Sequence, residues 1–517
     1  MSDDAGSVRA RVWRLLRHGV LWHRPQAFGR SVVYTLILVA ALAAIEPSAW
    51  SIDGESMTDG HAVVSLDLAI ARAYCGIPSS FSHFIRIPKD VAARMELRHV
   101  PLRTLIAEKA GSVDAYCRAV NEPFVNNENS LMLLETAILR ARPGLSLAQL
   151  GNVLHWVRVA CIVCFVLLLM DLGASLALGF ATLLCGLMLL KAMPDFLYSN
   201  YPFLFALVLL DATLIGFAIK YRWTRRMLGL VLFGGVAGLL AAFIANMRTS
   251  YTPIVGLFFA LVLVEELRAR GRPMPWQRRA ARALALAVCF TVAYEAFQIG
   301  LITRHLPVEG QYYAAHPLGH PLVLALAVPE NAFSREQGIR WADEVGSQLA
   351  ARVDPRVTFM APSYNAALMQ YYRTLWRTHT REMFEVYVIK FSLAGADMMR
   401  VLRLSPGPAG WAVGVLLTPL AVLPNGMWLL GLYVAVAYGA FALYYRRDLP
   451  AAFALALLSV AACLAQIESS VIFSIFVKQY HNYAAFYVLF LSLLGVQALA
   501  NGIWFLARGR PAKALPE

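Results

Sequence analysis

The sequence predicts an all-α polytopic membrane protein: about twelve transmembrane helices, a long external loop after the first and a second external segment after the seventh. Three observations carry this. Of 517 residues, 59% are hydrophobic and 15% charged, against about 25% charged in soluble chains. Apolar runs of about twenty residues, the length that spans a bilayer, recur along the chain. The basic residues cluster in short segments at the ends of those runs, as the positive-inside rule expects.

Residues 1–30 carry Arg9, Arg11, Arg14, Arg17, Arg24 and Arg30 around Trp13, Leu15 and Leu16, which reads as a cytoplasmic, membrane-surface segment. The first span runs from Ser31 to about Ala49; the basic stretch before it is too long for a cleaved signal peptide. Residues 51–150 form the long polar loop. Spans follow at 153–170, 172–190, 197–219, 227–246, 251–266 and 283–302. With 51–150 outside, the basic segments Lys220 to Arg226 and Arg268 to Arg282 both fall inside. Residues 303–383 are then external again. They hold Trp341-Ala-Asp-Glu344 on an expected surface helix, and Tyr312, Tyr313, Tyr364, Tyr371, Tyr372 and Trp376, which suit an interfacial belt or a sugar-stacking platform.

Residues 384–403 are apolar but carry Lys390, Asp397 and Arg400. Later spans stand at 409–424, 427–445, 450–468 and 484–506. A crossing at 384–403 places Arg446-Arg447 and the tail from Arg508 to Lys513 on the cytoplasmic side; a helix lying flat on the outer surface would misplace one basic end. The chain divides into the basic segment 1–30, an N-terminal transmembrane module 31–302 that includes the loop, the external segment 303–383, and a C-terminal transmembrane module with its tail, 384–517.

The net charge of +14 does not indicate nucleic acid, because no stripe of interleaved basic and aromatic residues appears. Among seven cysteines, Cys161, Cys164, Cys185, Cys289 and Cys463 lie in or beside apolar spans and read as packing residues. Cys75 and Cys117 are the two in the external segments, and in an oxidising compartment they would form a disulfide.

Two motifs in the long loop place carboxylates at helix starts. Thr58-Asp59-Gly60-His61 precedes a helical run from Ala62 to Tyr74, and Asn126-Asn-Glu128-Asn-Ser130 precedes one from Leu131 to Arg140. Asp59 is either a helix cap or a general base held beside the bilayer. Glu128 either complements a helix dipole or acts chemically; Glu135, seven residues on, shares its face with Leu131 and Met132 between them. Asp53, Glu55 and Asp67 are further carboxylate candidates. On the same side, Arg248 and the cluster Lys478-Gln-Tyr480-His481-Asn-Tyr483 could meet a phosphate, whereas Lys191 reads as a snorkelling cation.

The layout resembles the GT-C superfamily of integral-membrane glycosyltransferases, which includes protein mannosyltransferases and lipid A aminoarabinose transferases. The features that carry the resemblance are one span followed by an external loop with an acidic residue on a juxtamembrane helix, Asp59 to Ala69, ending in Cys75-Gly76; His155-Trp-Val-Arg158 at the start of the second span; a later external stretch before a final group of spans; and the Tyr480 to Tyr483 cluster at a late helix start. Asp59 is followed by Gly60 where family members commonly have a second acid, and no proline stands near Tyr483. The resemblance implies transfer of a sugar from a polyprenyl-phosphate or pyrophosphate carrier to a glycan, lipid or protein acceptor, at the periplasmic face of a bacterial inner membrane. It implies catalytic roles for Asp59 and Glu128 and substrate-binding roles for Asp53, His61, Arg248, Lys478, Tyr480, His481 and Tyr483. Some related enzymes use a divalent metal ion; no ligand cluster in this sequence demands one. The rival expectations are a secondary transporter, with Asp211 the clearest mid-span charge, a polymerase, ligase or flippase of surface polysaccharide, and a non-catalytic assembly protein.

Overall fold

The computed structural model describes residues 27–50, 60–76, 95–119, 129–191, 200–247, 252–268, 275–303, 318–359 and 361–403, with single residues between 486 and 500. Among them the secondary structure is helical, apart from one isolated antiparallel bridge between Pro101 and Ser146. The chain enters through α1 (Phe28–Ile45). Among the described residues of the polar loop, four α-helices follow: α2 (Gly60–Cys75), α3 (Leu102–Ala110), α4 (Val113–Ala119) and α5 (Asn129–Ala141). The apolar series continues with α6 (Leu147–Asp171), α7 (Leu176–Lys191), α8 (Asn200–Tyr221), α9 (Met227–Ala245), α10 (Thr252–Arg268) and α11 (Trp276–Phe297). Beyond it come α12 (Gly319–Leu324), α13 (Ala332–Glu336), α14 (Asp343–Val353), α15 (Pro362–Thr378) and α16 (Thr380–Arg403).

Five of these helices, α1, α6, α8, α9 and α11, are long and apolar enough to cross a membrane. They coincide with five expected spans, and α7 is an apolar but shorter helix at a sixth. The expected spans from 409 to 468 lie outside the described residues. The helix α16 covers 384–403 without interruption, but it carries Glu385, Lys390, Asp397, Arg400 and Arg403 and does not stand among the five.

Local chemistry explains the helix ends. Ser146 accepts from the Gln149 backbone while the Gln149 side chain accepts from the Ser146 backbone, which starts α6 with a complete capping box. The helix then runs 25 residues, about 37 Å at 1.5 Å per residue, enough for a hydrocarbon core of about 30 Å. After the capping residue Glu46, Pro47 opens a short 3-10 turn to Trp50. Between α9 and α11, Gly234 and Gly238 face Leu286, Cys289, Phe290 and Ala293 so closely that a Cβ at either glycine would collide. Small residues four apart let two apolar helices approach where lipid offers no hydrophobic drive.

At one end of the bundle, Asp171 closes α6 and is fully buried. It pairs with Lys220 at 2.5 Å, and accepts from the Tyr221 hydroxyl at 2.8 Å and the Ser31 hydroxyl at 3.1 Å. Lys220 also donates to the Asp171 carbonyl at 2.6 Å. The first turn of α1 and the last turns of α6 and α8 therefore meet on one carboxylate. Beside them, Glu266 at the end of α10 takes Arg282 of α11 at 2.5 Å and the Thr224 hydroxyl at 2.8 Å. Arg30, Arg222, Arg225, Arg226, Arg278 and Arg279 lie at this same end by their positions on the helices.

At the opposite end, Trp50 after α1 meets His155 and Trp156 of α6, Ser130 of α5 meets Asn246 after α9, and Phe243 meets Phe297. The polar loop and the segment after α11 thus leave the bundle at one end, away from the arginines. The later segment has its own small core, with Val323, Leu324, Leu326, Leu349, Tyr364, Leu368, Leu375, Met383 and Val386. Tyr364 is fully buried there, and Tyr371, Tyr372 and Trp376 pack against that core, so these four aromatics serve it rather than an open platform. Lys390 ties α16 to the turn after α12 by donating to the Ala325 carbonyl at 2.9 Å.

The Asp171 cluster makes a defined forecast. Asp171→Ala strands the Lys220 ammonium and should cost about 3–5 kcal/mol, whereas Asp171→Leu with Lys220→Met should recover most of it. Denaturant unfolding of the purified protein measures both; a single variant as stable as wild type would show that the cluster does not hold the helix ends.

Candidate active site

Most of the residues that the sequence assigns to chemistry lie outside the described residues: Asp53, Asp59, Glu128, Arg248, Lys478, Tyr480, His481 and Tyr483. His61 is the second residue of α2 by its backbone. What the structure does describe is the frame of the polar loop itself.

That frame is the pairing of α2 with α5. The inward face of α5 carries Ser130, Leu131, Met132, Glu135, Thr136 and Leu139, all buried. On α2 the run from Leu66 to Arg72 is buried throughout. Met132 packs against Leu68 and Ala69. Thr136 donates to the Met132 carbonyl at 2.7 Å and reaches the Ala69 carbonyl at 3.5 Å, and Arg140 donates to the Arg72 carbonyl at 2.9 Å. The face shared by Glu135, Leu131 and Met132 is the one that turns inward.

Two of the buried residues are carboxylates, Asp67 on α2 and Glu135 on α5, and Arg72 is buried with them. Arg72 escaped the reading by motif. Its signal was present: Asp67 and Arg72 interrupt an otherwise apolar run, Leu66 to Ala73, where a solvated helix face has no reason to alternate that way.

The electrostatics follow from burial. Burial lowers the Lys109 ammonium's proton affinity, and the Asp67 carboxylate opposes that by raising it. Burial raises the Tyr116 hydroxyl above its usual range, and Asp67 raises it further. Burial, then the charge of Arg140, lowers Arg72. Burial pushes the Tyr74 hydroxyl up to about 12, against a smaller lowering by Arg103. Asp67 thus acts on Lys109 of α3 and Tyr116 of α4. Among the described residues no group of three His, Cys, Asp or Glu side chains is placed to hold a metal ion.

Among the contacts that fix this module, two stand out. The Ser130 backbone N–H donates to the Asn246 carbonyl at 3.4 Å, which seats the start of α5 on the end of α9. Glu128 precedes Ser130 by two residues, and Arg248 follows Asn246 by two, so the described contact joins the sequence neighbourhoods of both. The second link is covalent. Cys75 at the end of α2 is bonded to Cys117 of α4, as the sequence expected. Cys161, Cys164, Cys185 and Cys289 are free.

No protein-family model, no curated protein and no solved structure matches this chain.

The disulfide closes a sequence separation of 42 residues, and its loss through Cys75→Ser with Cys117→Ser should cost roughly 3–4 kcal/mol. Thermal unfolding of the purified protein reads that loss. Non-reducing peptide mapping of the wild type should return one Cys75–Cys117 linked pair; two free thiols would reject the bond.

Proposed function

We propose that this protein is a membrane glycosyltransferase that moves a sugar from a polyprenyl-phosphate or pyrophosphate carrier to an acceptor at the non-cytoplasmic membrane face. The observation that supports it best is the disulfide-stapled module α2–α5, which carries buried carboxylates and is seated on one end of an apolar helix bundle, opposite its arginine-rich end. Disulfides persist in oxidising compartments, and arginines mark the cytoplasmic side. Both support an outward-facing module, which in a bacterial inner membrane would face the periplasm.

The reaction divides between two sets of residues. The acceptor hydroxyl or amine attacks the anomeric carbon, its proton passes to the Asp59 carboxylate, and the bond from that carbon to the carrier phosphate breaks with its electron pair on the phosphate. A carboxylate near the interface raises acceptor nucleophilicity, with Glu128 the second candidate for that role. Arg248 and Lys478 stabilise charge on the departing phosphate, while Asp53, His61, Tyr480, His481 and Tyr483 bind the substrates. A divalent metal ion would supply the same charge stabilisation.

A secondary transporter is the second reading. Asp211 favours it: the residue is buried within the membrane-spanning part of α8, and its Oδ2 has no hydrogen-bond partner among the described residues.

Transfer of labelled sugar from polyprenyl-phosphate donors in reconstituted membranes tests the enzyme reading. Asp59→Asn should keep the fold, since Asn caps a helix as well as Asp, and should lower turnover on the order of a hundredfold or more. Near-normal turnover in Asp59→Asn with loss in Glu128→Gln would move the base to the second motif, and full activity in both would remove it. Orientation has its own test. Cysteines placed at the exposed positions Thr104 and Arg356 should react with an impermeant reagent from the same, outer side; labelling from opposite sides would sink the topology.

A further inference from the structure

The outer end of α6 holds a group of polar atoms that the proposed reaction does not use. His155 is 3% exposed and Arg158, one turn on, is 2% exposed. The His155 Nε2 lies 3.1 Å from the Trp50 carbonyl. A carbonyl only accepts, so Nε2 carries the hydrogen in that bond. The other ring nitrogen, Nδ1, is buried with no hydrogen-bond partner among the described residues, and so is the Trp50 indole N–H. A histidine kept only for packing would have both nitrogens matched.

The surroundings describe what would match them. The Arg158 guanidinium lies 5.3 Å from the centre of the Phe203 ring, and its Nε donates to the Leu154 carbonyl at 3.2 Å. It brings positive charge to the same helix face as His155, three residues apart. The Trp50 and Trp156 rings stack beside them at 6.4 Å, and Trp156 is 55% exposed. The group therefore offers a cation, an indole donor and one imidazole nitrogen, at the level where the apolar helix begins. That nitrogen is a lone pair in neutral His155 and an N–H in its protonated form. A phosphate monoester exchanges one proton with a pKa of about 6, so near neutral pH it presents either the O–H or the O⁻ that each form needs.

We propose that Trp50, His155 and Arg158 form the seat for the phosphate monoester headgroup of a polyprenyl lipid, the spent carrier that remains once the sugar has left, reached from the bilayer past Trp156. This rests on the lipid-linked-donor reading above and adds a phosphate seat on α6 to Arg248 and Lys478. Arg158 takes phosphate oxygens, His155 shares the monoester proton through Nδ1, and the Trp50 indole donates to a remaining oxygen.

The test is binding to the full-length protein in zwitterionic nanodiscs, followed by native mass spectrometry, with three probes: a polyprenyl phosphate, the matching polyprenol and inorganic phosphate. Wild type should take the polyprenyl phosphate and neither of the others at the same concentration. Arg158→Met should weaken that binding about tenfold or more, the loss of one charge-assisted contact. His155→Gln can keep a donor on the Trp50 carbonyl, loses Nδ1, and should weaken binding about tenfold; it carries the test alone if Arg158→Met does not fold. Wild-type binding that neither folded variant changes would overturn this seat and leave the glycosyltransferase reading standing. Equal uptake of inorganic phosphate would overturn the lipid headgroup as ligand. No uptake of polyprenyl phosphate by wild type would overturn this seat, while the donor, a sugar phosphodiester or pyrophosphate, is tested separately by the transfer assay above.

Discussion

A carboxylate buried in an apolar helix bundle has to be neutralised or paired, because its desolvation costs several kcal/mol. Asp171 is paired three ways, by Lys220, Tyr221 and Ser31. Those partners come from α8 and α1, so the requirement to satisfy one charge sets the register of three helices at their common end. Apolar packing does not do this. Leucine against leucine tolerates sliding, and in lipid it gains little over leucine against acyl chain. The ion pair supplies the specificity, and the close contacts at Gly234 and Gly238 supply the fit between α9 and α11.

Fixing one end of stiff helices fixes the other. A helix rises 1.5 Å per residue, so once Ser31 and Asp171 meet, the positions of Trp50 and His155 at the far end follow from length, and they are found together. The same reasoning carries Asn246 to the level where α5 begins. The polar module is then attached by a backbone hydrogen bond at Ser130 and held together by the Cys75–Cys117 bond. Apolar packing joins module and bundle too: Leu66, Ile70, Leu102, Ile106 and Leu131 of the module belong to the same buried core as the bundle helices.

Much of this was legible in the chain because membrane spans announce themselves by composition. Phe28–Ile45, Leu147–Asp171 and Met227–Ala245 each contain an apolar window long enough to span a membrane, and no tertiary contact is needed to find them. The disulfide was legible for a different reason: Cys75 and Cys117 stood apart from the apolar cysteines. The helix α16 was harder. Its inward side holds Met383, Val386, Lys390 and Ala394, and Lys390 counts as a charge in any hydropathy window although it sits against a carbonyl. Aromatics misled in the opposite sense. Tyr364 looked like a surface ring because its neighbours are polar, yet its hydroxyl lies 2.6 Å from His320 inside a separate core. Partners 44 residues apart leave no local periodicity to read. The same limit applies to the site: Asp59 and Glu128 were picked out by local motifs, whereas the contact of Ser130 with Asn246 spans more than a hundred residues and has no signature in either segment.

The distribution of charge bears on chemistry as well as on topology. One end of the bundle carries arginines that are mostly exposed, where water screens them. At the other, Asp67, Glu135, Arg72, His155 and Arg158 are all buried. Buried ionisable groups give little stability that apolar residues would not give, so stability does not account for keeping five of them near one membrane boundary. Low-dielectric surroundings strengthen each charge's action on a substrate held beside it. Such a boundary is also where the headgroup of a lipid-borne phosphate would lie, with its tail among the helices and its reacting bond at the module. Under the proposed function, the buried groups at that boundary would act on a charged leaving group formed beside them.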